Sequence, residues 1–121
     1  MNRKDIDDLK IYQLGMDVGE LVYELVHKWD RLNRNMIGYQ LIRAADSISA
    51  NISEGYGRFH FKEQRQYCYI ARGSLYETRT WLSKALIRIQ DDKKPILEIL
   101  ERINKLHIKL NAYIKYIDSR I

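Results

Sequence analysis

Cysteine, proline and long apolar runs are what this sequence has least of, and each shortage excludes something. Cys68 is the single cysteine in 121 residues, so neither an internal disulfide nor a multi-cysteine metal site can form. A reducing, cytoplasmic setting fits that count best. No run of eighteen apolar residues occurs, and Met1-Asn2-Arg3-Lys4-Asp5 leads into Asp7 and Asp8 rather than into an apolar signal core. Neither a membrane span nor an export signal is expected. Pro95 is the only proline, and the six glycines are Gly15, Gly19, Gly38, Gly55, Gly57 and Gly73, which leaves few places for turns. Strand-like alternation is absent too.

What is present is charge and apolar periodicity. A hydrophobic share of 45% with 31% charged residues is too apolar for disorder, and the length fits one domain over 1–121. The net charge of +5 hides an asymmetry. Residues 5–30 hold seven acids (Asp5, Asp7, Asp8, Asp17, Glu20, Glu24, Asp30) against Lys10 and Lys28, while residues 31–121 carry +8. Either neighbouring helices neutralise each other, or a basic face is left for a polyanion.

Four stretches show the three-and-four spacing of helices with one buried stripe, which predicts an all-α, antiparallel up-and-down four-helix bundle. The first runs from about 6 to 30, with Leu14, Val18, Leu21, Leu25 and Trp29 inward and Asp5 or Asp7 as N-cap. The second covers about 36–54, with Ile37, Leu41, Ala44 or Ala45, Ile48 and Ile52 as its stripe. Gly55 and Gly57 then supply a stop, because glycine accepts the left-handed conformation that often ends helices. The third, about 61–90, places Tyr67, Ala71, Ser74, Thr78, Leu82, Ala85 and Ile89 on one side with Ile70, Leu75 and Leu86 beside them. Its length is about 45 Å. The fourth, about 95–118, opens on Pro95 and repeats Ile96, Ile103, Leu110 and Ile117 at sevens, with Leu100, Leu106 and Tyr113 between.

Two segments are candidates for function. On the second helix Gln40, Arg43, Ser47, Asn51 and Glu54 fall on one polar stripe. The stripe lacks a base titrating near pH 7, a metal-ligand pair and an activated nucleophile, so no catalytic residue is assigned and the chain is expected not to be an enzyme. Its structural reading is a polar network tying the second helix to the third, with Glu54 accepting from Arg58, Arg72 or Ser74.

On the third helix Arg58, Arg65, Arg72 and Arg79 recur at sevens with Lys62, Tyr69 and Tyr76 between them, the first rungs falling in the preceding turn. Cations interleaved with tyrosines suit phosphates and unpaired bases. The competing reading is a solvated face, or a seam salt-bridged to the acids of the first helix, and residue spacing does not separate the two. His27, His60 and His107 share no helical metal-pair spacing, so no metal or other cofactor is expected. Nine tyrosines in so small a bundle place some hydroxyls at boundaries or subunit contacts.

These motifs resemble those of the four-helix bundle proteins encoded within intervening sequences of bacterial 23S rRNA genes. The opening motif is met by Leu9, Ile11 and Tyr12. The central one is met by Gln40, Leu41, Arg43-Ala44-Ala45, Ser47-Ile48, Asn51-Ile52, Glu54-Gly55 and Gly57-Arg58, and the third-helix motif reads Ala71-Arg72-Gly73-Ser74-Leu75-Tyr76-Glu77. The aromatic-proline pair common after the first helix is replaced by Trp29-Asp30. The family is similar to the accessory variability protein of diversity-generating retroelements, a basic pentamer that associates with a reverse transcriptase and nucleic acid. The resemblance therefore implies a homo-oligomer, a pentamer by analogy, with RNA or DNA and a polymerase or reverse transcriptase as partners. Within it, Arg43, Ser47, Asn51, Glu54, Gly55, Gly57, Gly73, Ser74 and Glu77 read as structural.

Overall fold

The computed structural model describes residues 5–121; residues 1–4 lie outside the described residues. Four long helices dominate: α1 Lys10–His27, α2 Tyr39–Tyr56, α3 Phe61–Arg88 and α4 Lys94–Arg120. A 3-10 turn, Ile6–Asp8, precedes α1, and a helical turn Arg31–Asn33 followed by a π-helical turn Arg34–Gly38 leads into α2. Each helix packs on its neighbours in sequence, and α4 closes back on α1. The result is an antiparallel up-and-down four-helix bundle with α1 and α3 on opposite corners. No strand occurs among the described residues.

The core follows the apolar spacing, with its centre line one position away from some expected stripes. On α1 the buried side chains are Ile11, Val18, Val22, Leu25 and Val26, with Trp29 beyond its end, while Leu14 and Leu21 are half-buried at the seam. On α3 Cys68, Ala71, Leu75, Thr78, Leu82, Ala85 and Ile89 alternate at three and four. Leu75 is thus central, whereas Ile70 is exposed and Tyr67 and Ser74 only half-buried. On α4 Ile99 and Ile114 join Ile96, Ile103, Leu106, Leu110 and Ile117 in the core, and Leu100 and Tyr113 pack at its edge. Each fully buried aliphatic side chain contributes roughly 1.5–3 kcal/mol of transfer free energy. That burial holds together helices which would be marginal alone.

The turn after α1 is shorter than the expected loop. Asp30 accepts hydrogen bonds from the Asn33 backbone N–H and from the Asn33 side-chain amide, both at 2.9 Å. This N-cap starts helical backbone at Arg31, well before the expected Met36. The Asn33 backbone bond is the main reason that the Asp30 carboxyl is held below its usual range.

The glycine stop is a correction. No glycine among the described residues has positive φ, and Gly57 closes α2 in right-handed geometry at φ −78. Gly55 lies inside the helix because a Cβ there would stand 2.8 Å from Tyr67 Cβ: what it permits is close approach of α3. Between α3 and α4 the Lys93 ammonium donates to the Leu86 carbonyl, and Pro95 sits in the first turn of α4.

Candidate nucleic-acid interface

The arginines of α3 do not face α1. They lie on the seam with α4, where Arg65 donates to Asp118 at 2.9 Å, Arg72 to Asn111 at 3.0 Å and Arg79 to Asn104 at 3.1 Å. Each step of seven up α3 meets a step of seven down α4, the register of an antiparallel pair. The aromatic rings fill the intervals. Tyr69 has the Arg65 and Arg72 guanidinium carbons 5.9 and 5.2 Å from its ring centre, and Arg79 lies 5.3 Å from that of Tyr76. Tyr76 also meets the His107 ring edge-on at 5.1 Å. The expected seam against the acids of the first helix is therefore replaced by one against α4, because α1 stands diagonally across the bundle from α3.

The two ends of the ladder differ from its middle. Arg58, in the turn, donates to Glu54 and to the Tyr67 hydroxyl, both at 2.8 Å, and has Glu63 at 3.7 Å. Arg65 is neutralised by Asp118. Arg72 and Arg79 are oriented by neutral amides, and no ion pair among the described residues compensates their charge. Burial first, then Arg79 and Arg72, lowers the His107 pKa, which keeps that imidazole neutral at pH 7 and able to sit 3.3 Å from an Arg79 nitrogen. Lys62 is exposed and makes no ion pair among the described residues. An open groove beside Arg72 is lined by Asn111, Ala112, Ile114 and Lys115.

The sequence model of the 23S rRNA-intervening sequence proteins matches residues 7–112. The chain belongs to that family. A crystal structure of a protein of unknown function from the S23 ribosomal protein family of Bacteroides thetaiotaomicron superposes with a TM-score of 0.76, over 88% of this chain and 99% of that one. The two are 17% identical, a likeness of fold alone. No curated protein matches the chain.

Most of the polar stripe of α2 in this 23S rRNA-intervening sequence protein occupies a different place from the arginine ladder. Gln40, Arg43, Ala44, Ser47 and Glu77 line a small polar crevice between α2 and α3. The expected interhelical network is not what the polar stripe makes. Ser47 donates to the Arg43 carbonyl and Asn51 to the Ser47 carbonyl, each one turn back on its own helix. The cross-tie comes from Arg58 to Tyr67, assisted by Gln64 donating to the Arg58 carbonyl at 2.9 Å. Glu54 takes only Arg58 of its three expected donors. Glu77 accepts from the Trp81 indole at 3.4 Å, and Ser74 lends its carbonyl to Thr78. At Gly73 an added Cβ would meet nothing within 4 Å, so packing inside the protomer does not require glycine there.

Sequence reasoning missed the partners on α4. Asn104, Asn111 and Asp118 recur at sevens, a signal as regular as the arginines, but short polar side chains on a basic helix read as ordinary surface. The other reactive groups stay apart. Burial pushes the Cys68 thiol up to about 11, which leaves it unreactive, and no group of three metal-ligating side chains gathers among the described residues. No helix there is long and apolar enough to cross a membrane.

Proposed function

We propose that this 23S rRNA-intervening sequence protein is a non-enzymatic, homo-oligomeric, cytoplasmic bundle that binds RNA or another nucleic acid along the α3–α4 seam. The observation that carries this reading is the charge on Arg72 and Arg79, held in fixed positions by Asn111 and Asn104 without being neutralised. A guanidinium oriented in advance meets a phosphate at lower entropic cost than a free side chain does. Tyr76, between the two arginines, and Tyr69, on the other side of Arg72, remain exposed and offer ring surface to a base. Lys62 adds a free cation towards the start of α3, whereas Arg58 and Arg65 serve mainly the protein's own carboxylates.

Fluorescence anisotropy with a structured RNA at two salt concentrations tests the reading. Binding should weaken steeply with salt, and the Arg72→Glu/Arg79→Glu variant should lose it. Arg65→Gln should change it far less. Salt-independent binding, or full affinity in the double variant, would defeat the reading.

A second reading has one observation in its favour: both tyrosine rings are already engaged by arginines, and Tyr76 by His107 as well. In that reading the seam docks a protein such as a polymerase or reverse transcriptase, with no direct nucleic-acid contact. RNA binding by the purified chain alone separates the two.

A further inference from the structure

The run of helix between Asp30 and α2 carries a surface that the basic seam does not use. Leu32, Met36 and Tyr39 are 70%, 63% and 61% exposed. Spaced by four and three, they form one outward apolar stripe over the first helical turns. Arg31 and Arg43 fall beside it, and neither makes an ion pair among the described residues. Arg43 instead lies 5.8 Å from the Tyr39 ring centre. The backbone here is the π-helical turn Arg34–Gly38, a wide and uncommon winding that is frequent at functional sites. Large apolar side chains recurring once per turn, rimmed by one sign of charge, make a surface that takes an amphipathic helix of opposite charge.

The outer face of α1 has that chemistry. Met16 and Tyr23 are 42% and 50% exposed and seven residues apart, as Leu32 and Tyr39 are. Asp17, Glu20 and Glu24 lie among them, and no ion pair among the described residues involves any of the three. Both stripes face solvent in one protomer, so neither covers the other.

We propose that a second copy of this chain lays its acidic α1 stripe on the Leu32–Met36–Tyr39 stripe, with Asp17, Glu20 and Glu24 facing Arg31 and Arg43. Three matches favour a copy of this chain as occupant. The charges are opposite, the apolar anchors share a seven-residue spacing, and both surfaces are helical. Every copy carries both stripes, so the contact is reciprocated in a dimer or repeated around a ring. The inference rests on the self-association in the proposed function and names its interface.

Light scattering of the full chain, with circular dichroism to confirm helicity, tests it through two charge-reversed proteins. One carries Glu20→Arg/Glu24→Arg and presents two basic stripes; the other carries Arg31→Glu/Arg43→Glu and presents two acidic ones. Each should dissociate by more than about tenfold relative to the natural chain, because like charges then face each other. An equimolar mixture should associate again, as alternating pairs, even-numbered rings or chains, since unlike stripes then meet. A natural chain that is monomeric at every concentration overturns self-association and this interface together. An oligomer that both variants leave intact overturns this interface alone. Variants that dissociate without reassembling on mixing overturn the pairing of these two stripes.

Discussion

Gly38 and Gly73 both sit in helical backbone, yet glycine is needed at only one of them. A Cβ on Gly38 would lie 2.5 Å from Val26 Cγ1, a branched and buried side chain with little freedom to turn aside. Gly38→Ala should therefore destabilise by about 1–3 kcal/mol, the usual cost of overpacking. A Cβ on Gly73 meets open space, and Gly73→Ala should stabilise the isolated protomer by about 1 kcal/mol through helix propensity alone. Urea denaturation of the two variants at one protein concentration checks both signs. Sequence spacing showed that glycines were few and placed two of them near a turn. It did not distinguish a glycine that ends a helix from one that lets another helix come close, as Gly55 does against Tyr67, because that depends on a neighbour remote in sequence.

At the scale of whole elements, the stretch from Asp30 to Gly38 departs furthest from what the residues foretold. Apolar periodicity placed the cores of α2, α3 and α4 well, since Leu41, Ile48, Leu82, Ile103 and Leu110 are all fully buried. It placed Ile37 correctly in the core but set the start of the second helix at about Met36, because Leu32 and Met36 are exposed and add nothing to a buried stripe before Ile37. The start signal was in the sequence as Asp30, three residues before Asn33. Removing the cap with Asp30→Ala should lower the melting temperature and reduce amide-exchange protection over residues 31–34. Asp30→Asn, which can still accept from the Asn33 N–H, should retain most of the stability. Thermal melts read by circular dichroism, with hydrogen exchange for the local effect, check the order of the three proteins.

For the molecule as a whole, the seam between α3 and α4 links stability to pH. His107 has its pKa lowered in the folded bundle, so the unfolded chain binds its proton more readily. Its contribution to stability is full above the ordinary imidazole value near 6.5 and is lost as pH falls through and below it. The natural chain should lose more stability between pH 7.5 and 5.5 than His107→Gln does, measured by urea denaturation at both values. The ladder itself was legible as seven-residue spacing on one helix. Its partners became visible only when antiparallel packing set Asn104, Asn111 and Asp118 opposite it, and the same packing removed α1 from contention. Of the motif residues read from the sequence, Gln40, Arg43, Ala44, Ser47 and Glu77 line the crevice between α2 and α3, and only Arg72 and Tyr76 belong to the seam, Arg58 standing at its turn.

Asn104 and Asn111 differ from aspartate by a single terminal group of nearly the same size. The polarity of the whole seam therefore hangs on two amide nitrogens. Exchanging each for an oxygen would leave the arginines where they are, bind them more tightly, and turn a cationic strip into a nearly neutral one. In that sense the surface is a charge display whose sign is set from the opposite helix, by residues that carry no charge themselves.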